Sequence, residues 1–210
     1  MPISPAKEFQ KLLLNYSHTE DPEKRRRIES ELWEKYGMER AVFVLDMSGF
    51  SRITRKFGIV HYLSMVKRMQ LTTAPIVKSY GGSMIKYEAD NCFAVFPEPL
   101  PALNAALAIQ HAFAASNLIT SDELDIHISC GIDYGKILVI KGEDCFGDAV
   151  NRASKLGEDV ASSGEILITR EAMAMVPPGA GFRATEKNIT ISGLHIAAWS
   201  VAVGQGKSLP

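Results

Sequence analysis

The run Ala41-Val42-Phe43-Val44-Leu45 ends in an aspartate, Asp46, and that junction constrains the fold more than any other stretch. Consecutive apolar residues rich in β formers read as a strand buried on both faces. A carboxylate at the end of such a strand costs free energy unless it is paired or holds a metal. The loop behind it, Met47-Ser48-Gly49-Phe50-Ser51, leads into a helical stretch. Backbone N–H groups at a helix start of this kind can hold phosphate oxygens. A plainer role also fits: Asp46 caps the helix that follows.

The rest of the chain supplies elements to pack against that strand. Helical periodicity runs from about Gly58 to Tyr80, with Pro75 as an expected kink and Gly81-Gly82 as the break. Met84–Glu88 and Cys92–Phe96 read as strands, and Ala89-Asp90-Asn91 between them suits a tight hairpin. Pro99 or Pro101 opens a helix to about Ser116. A second strand pair is expected over Leu124–Asp133 and Lys136–Ile140, turning at Tyr134-Gly135. A helix from about Gly147 to Val160, a strand at Glu165–Thr169, a short helix, and alternating short strands and turns to Val203 complete the pattern. Strands that come in adjacent pairs, separated by helices, predict an α+β fold: an antiparallel-rich sheet with helices on one face. The order contains the split βαβ unit of ferredoxin-like folds.

Residues 1–37 read as a helical appendage ahead of a catalytic unit spanning 38–210. Asp21 offers an N-cap, Pro22 suits the first helical position, and Gly37 is the expected stop. The run Lys24-Arg25-Arg26-Arg27 reads as a solvated helix face paired with nearby glutamates.

Composition narrows the class of partner. The net charge is -1 and the pI about 6.5, so no global field draws the chain to nucleic acid or to anionic membrane. Cys92, Cys130 and Cys145 form no disulfide framework or zinc spacing. Met1-Pro2-Ile3-Ser4-Pro5 lacks the basic and apolar regions of a signal peptide. The most apolar stretch, Leu100 to Ile119, is broken by Asn104, Gln110 and His111 and reads as an amphipathic helix rather than a membrane span. A cytoplasmic location is expected.

Asp90 stands at the tip of the first hairpin. In a split βαβ unit that hairpin neighbours the first strand, so Asp46 and Asp90 can converge. Two carboxylates with open positions suit Mg²⁺, which prefers oxygen ligands and shares them with substrate phosphates. An Asp-Asn turn chosen for backbone reasons is the plainer alternative. On the helix 147–160, Ala149, Ala153, Leu156 and Val160 form an apolar stripe, with Asp148, Asn151, Arg152 and Lys155 on another face. Asn151 and Lys155 lie one turn apart and suit a sugar and a phosphate oxygen; a solvated Asp148–Arg152 pair is the alternative. Lys86 and Asp144 offer a cation and a carboxylate for a base edge.

Taken together, these residues resemble the class III adenylyl/guanylyl cyclases. The resemblance runs from about Arg40 to Val203. It rests on Val42–Ser51, on Gly81–Asp90 with Phe93–Phe96, and on Phe146–Leu156, in that order. It implies a head-to-tail homodimer with each active site between two subunits. One subunit gives Asp46 and Asp90, with the Met47 carbonyl, as ligands for two Mg²⁺ ions, which Mn²⁺ can replace. The loop Ser48, Gly49, Phe50, Ser51 faces the triphosphate. The partner subunit gives Lys86 and Asp144, of the adenine-selecting type, and Asn151 to orient the ribose. The implied reaction converts ATP to 3′,5′-cyclic AMP and pyrophosphate. A cyclase for GTP or a pyrimidine nucleotide, or a nucleotide-binding module of weak activity, are the alternatives.

Three positions depart from the family pattern. Lys155 stands where relatives carry an arginine for the transition-state phosphate, with Arg152 nearby as a substitute. Ser192 stands where many carry a triphosphate-binding lysine. Ala89 stands where a glycine usually precedes the second metal aspartate.

Overall fold

The structure is a computed structural model and describes residues 4–191 and 193–203. Helices α1 (Pro5–Ser17) and α2 (Pro22–Tyr36) lead into strand β1 (Gly37–Met47). Helices α3 (Phe50–Phe57) and α4 (Ile59–Ser79) follow, then the hairpin β2 (Ser83–Glu88) and β3 (Asn91–Phe96). Helix α5 (Pro99–Asn117) precedes β4 (Ile128–Ile140) and the short β5 (Asp144–Phe146). Helix α6 (Asp148–Ser154) continues as a π-turn over Lys155–Val160. Strand β6 (Ile166–Thr169), helix α7 (Arg170–Met173), and strands β7 (Phe182–Ile191) and β8 (Leu194–Val203) complete the chain.

The strands form one sheet in the order β2-β3-β1-β4-β6-β8-β7, with β5 paired on β4. The pairings are antiparallel except β4 with β6. The first four strands are the split βαβ arrangement expected, with β1 between β3 and β4.

Helices cover both faces of this sheet, not one. Ala41, Phe43, Leu45 and Met47 join the core under α4 and α5. Val42 and Val44 point the other way, into a second cluster with Ala149, Val150 and Ala153 of α6. The reason is in the strand itself: side chains alternate, so an unbroken apolar run needs cover on both sides.

β4 is a single strand, and the turn expected at Tyr134-Gly135 does not form. β1 pairs with it from Gly37↔Leu138 to Met47↔Ile128, and Tyr134 and Gly135 sit opposite Ala41 and Arg40. A continuous ladder outweighs a two-residue turn preference. Gly135 instead marks a close approach: a Cβ there would lie 3.4 Å from the Ala149 Cβ of α6.

The N-terminal helices form as their caps dictate. Asp21 accepts a 2.9 Å hydrogen bond from the Glu23 amide, with Pro22 at the first helical position. Phe9, Leu12, Ile28, Leu32 and Tyr36 bury one face of this pair against Ile140. In the basic run, Arg26 pairs with Glu23 and Arg25 donates to the Thr19 carbonyl, a solvated helix face as expected. Among the described residues no helix is long and apolar enough to cross a membrane.

Candidate active site

Sheet register brings the two acids together. Leu45 of β1 pairs with Cys92 of β3, so the next residue, Asp46, comes level with the β2–β3 turn that carries Asp90. Glu88 pairs with Asn91, leaving Ala89-Asp90 as a two-residue turn. Ala89 takes a φ of 51°, the left-handed conformation in which a glycine is easier. The chain accepts that strain and presents Asp90 beside β1.

The electrostatics are those of neighbouring acids. Burial pushes the Asp46 carboxyl up to about 7, and the charges of Asp90 and Glu158 add to the rise. Asp46 also accepts from the Met47 amide, which opposes this rise. Glu158, on the π-turn, is itself held above its usual range by partial burial of its carboxyl, with Asp159 and Glu88 adding. Tyr62 of α4, 2 % exposed, packs near the acids; burial and then Asp90 hold its phenol well above the ordinary value. Neither Glu158 nor Tyr62 carries a sequence signal: one lies on a π-turn that periodicity cannot reveal, the other on an apolar helix face.

A concentration of carboxylates that repel one another fits a divalent cation better than it fits an empty surface. The Asn91 Oδ1, next in sequence to Asp90, is buried without a hydrogen-bond partner. Among the described residues no three His, Cys, Asp or Glu side chains form a closed metal-binding group. Two carboxylates with open positions match a metal that takes its remaining ligands from water and phosphate.

The loop after Asp46 leads into α3. Gly49 is the N-cap of α3 at φ 99°, with no side-chain cap bond to the first amides. Ser48 is half-buried, its amide tied to the His127 carbonyl at 2.9 Å. The side chains of Phe50 and Ser51 lie outside the described residues, as does Ser192. Met47 ends β1 with its side chain buried.

Lys86 and Asp144 meet. Lys86 Nζ lies 3.1 Å from Asp144 Oδ1 and 2.6 Å from Glu88 Oε2, and 4.9 Å above the Phe93 ring. Burial alone would lower the Lys86 pKa, but Glu88 and Asp144 together outweigh it and hold it raised.

Asn151 lies mid-way along α6 and Lys155 at its C-cap, and among the described residues no hydrogen bond or ion pair engages either side chain. Arg152 is committed elsewhere. Its Nε donates at 2.6 Å to Asp133 Oδ2, a fully buried carboxylate on β4 that also accepts from Thr169 and from the Tyr134 amide. Arg152 thus pairs with Asp133 rather than with Asp148. Burial outweighs these bonds, and the Asp133 carboxyl sits above its usual range. No ion pair joins Asp46 or Asp90 to Lys86, Asp144 or Lys155 among the described residues.

The comparisons bear on the fold. No family model matches the chain. It is 28% identical over 129 residues to a putative adenylate cyclase 3 of Rhizobium meliloti, covering 61% of this chain and 22% of that protein. The chain spans less than half the length of the curated relatives it matches. Among solved structures, an adenylate/guanylate cyclase/hydrolase from Silicibacter pomeroyi superposes with a TM-score of 0.66 at 25% identity, over 81% of this chain and 99% of that one. The catalytic core of a rhodopsin-guanylyl cyclase of converted specificity, in complex with ATPαS, gives a TM-score of 0.68 at 21% identity, over 80% and 98%. In fold, motif order and sequence the chain is similar to the catalytic domains of class III adenylyl/guanylyl cyclases.

Proposed function

We propose that this protein is an adenylate cyclase, acting as a homodimer that closes ATP to 3′,5′-cyclic AMP and releases pyrophosphate. The observation that carries the reading is the meeting of Asp46 and Asp90, acids 44 positions apart, at one end of the strands beside an uncapped helix start. Asp46, Asp90 and the Met47 carbonyl would hold two Mg²⁺ ions, which would supply charge neutralisation at the triphosphate and acidification of the ribose 3′-hydroxyl.

The chain's own groups supply the rest. The first amides of α3, with Ser48 and Gly49 ahead of them, receive phosphate oxygens. Lys86 donates to the base and Asp144 accepts from it, which suits the adenine edge. Asn151 orients the ribose, and Lys155 sets a positive charge at the α-phosphate. Cyclisation is intramolecular, so holding hydroxyl and phosphate in line carries much of the rate. Arg152 positions α6 through Asp133 and leaves the phosphate to Lys155.

Each half of this site is incomplete in one copy. Among the described residues no ion pair reaches the acids, and no hydrogen bond or ion pair engages the Asn151 or Lys155 side chain. A second copy facing the first supplies what each lacks. Residues 38–210 form the catalytic unit in this reading.

The test is product formation from ATP, GTP, CTP and UTP with Mg²⁺ and with Mn²⁺, for the wild type and for Asp46→Ala and Asp90→Ala. Cyclic AMP from ATP, lost in both variants, is the expected result. Cyclic product only from another nucleotide overturns the base assignment, and unchanged turnover in either variant overturns the metal assignment.

A further inference from the structure

The N-terminal helices raise a question that the reaction leaves open, namely why a helical pair packs where it does. Strand β5 is three residues long and, among the described residues, pairs with β4 alone: Ile140↔Asp144, Val139↔Cys145 and Leu138↔Phe146. A ribbon this short is marginal without packing. Cys145 turns inward, 4% exposed, into the cluster shared with α6. Alternation puts Asp144 and Phe146 on the other face.

Phe146 is met there by the first helix. The Phe9 ring lies parallel to it, with centroids 5.8 Å apart and planes within 5°. Phe9 is 2% exposed and is braced edge-on by Tyr36 at 5.1 Å; the Tyr36 hydroxyl donates to the Pro5 carbonyl. The same helical pair buries Ile140 and packs on Leu138, the β4 residues opposite Asp144 and Phe146. Both rails of the ribbon are therefore held by the appendage at the registers that flank Asp144. From the other side Asp144 meets Lys86 at 3.1 Å. Two residues past Phe146, α6 begins and carries Asn151.

We propose that Phe9 is a positioning residue for base recognition: stacked on Phe146, it fixes β5 so that Asp144 stands at the reading distance from Lys86. The proposal rests on the base-reading role given above to Lys86 and Asp144. A helical pair that only added stability could pack anywhere on the apolar surface; this one packs on the strand that carries half of the base contact.

The experiment uses the full chain and measures kcat and KM for ATP and for GTP with Mn²⁺, together with the melting temperature. Phe9→Ala is expected to lower the ATP-to-GTP ratio of kcat/KM by about five-fold, mostly through KM for ATP, the scale of one hydrogen bond put out of line. Phe9→Tyr, which keeps the flat ring, retains the wild-type ratio. Leu12→Ala, in the same buried cluster, lowers the melting temperature and leaves the ratio alone. Phe146→Ala removes a ring that is 44% exposed, so folding survives, and it reproduces the loss of selectivity. A wild-type ratio in both Phe9→Ala and Phe146→Ala, with an altered ratio in Asp144→Ala, overturns the positioning role alone. An unaltered ratio in Asp144→Ala overturns the base-reading assignment and this inference with it.

Discussion

Burial, with Asp90 and Glu158 adding, pushes the Asp46 carboxyl up to about 7 from its ordinary 3.8. Above about pH 4 the unfolded chain has released this proton, whereas the folded chain keeps it until near pH 7. The folded state then binds more protons, so this group's contribution to stability falls as pH rises between those values. With a divalent ion bound, the carboxylate is the favoured form and the penalty is removed. We expect the melting temperature of chelator-treated protein to fall from pH 4.5 to 7.5, and the Asp46 part of that fall to vanish in Asp46→Asn. Identical slopes in the two proteins would refute it. Lys155 is the second residue whose chemistry is testable. It keeps the charge of an arginine without the planar fork. Lys155→Ala should lower kcat by about 100-fold with little change in KM, the signature of a contact made in the transition state. A loss confined to KM would place Lys155 on the ground-state phosphates instead.

Helix α6 is held to the sheet by backbone contact as much as by side chains. A Cβ on Gly131 would stand 2.0 Å from the Ala153 carbonyl oxygen and 2.5 Å from the Gly157 amide nitrogen. A Cβ on Gly157 would stand 2.8 Å from the Gly131 nitrogen and 2.9 Å from the Val44 oxygen. No side chain is available there to move aside, so Gly131→Ala should cost at least about 3 kcal/mol. Denaturant melts and cyclase assays should report it together, since Asn151 and Lys155 ride on this helix. A melt within about 1 kcal/mol of wild type would show that α6 can lift from the sheet. The Asp133–Arg152 pair adds a second fastening at the same place. Its carboxylate is wholly buried, and removing Arg152 would strand it. The element scale also shows where the sequence was legible. The strand at Ala41–Leu45, the hairpin at 89–91, and the cap at Asp21 were readable because apolar runs, turn residues and caps act within a few positions. The continuity of β4 was not, because Tyr134-Gly135 carries a turn's composition and only the ladder to β1 overrides it. The commitment of Arg152 to Asp133 was equally hidden: 19 positions separate two residues that each have a nearer plausible partner.

At the scale of the whole molecule, the proposed catalytic groups fall into two sets with no ion pair between them among the described residues. That division makes a strong prediction. Mixing Asp46→Ala protein with Asn151→Ala protein should restore activity, because one of the two sites in a mixed dimer then draws an intact acid pair from one copy and an intact asparagine from the other. Each variant alone should be nearly inactive. No recovery on mixing, with dimers shown to form, would sink the shared site. The sequence alone determined most of the strand and helix order, the candidate acids and the polar face of α6, and hence the resemblance to the cyclases. These follow from local rules: periodicity, turn chemistry, and the free-energy cost of a charge at the end of an apolar strand. Only the tertiary structure decided that Asp46 stands level with Asp90, that Lys86 reaches Asp144, that Arg152 faces inward, and that the first helix stacks on β5. Those are matters of register and packing between distant segments, and no window of sequence contains them.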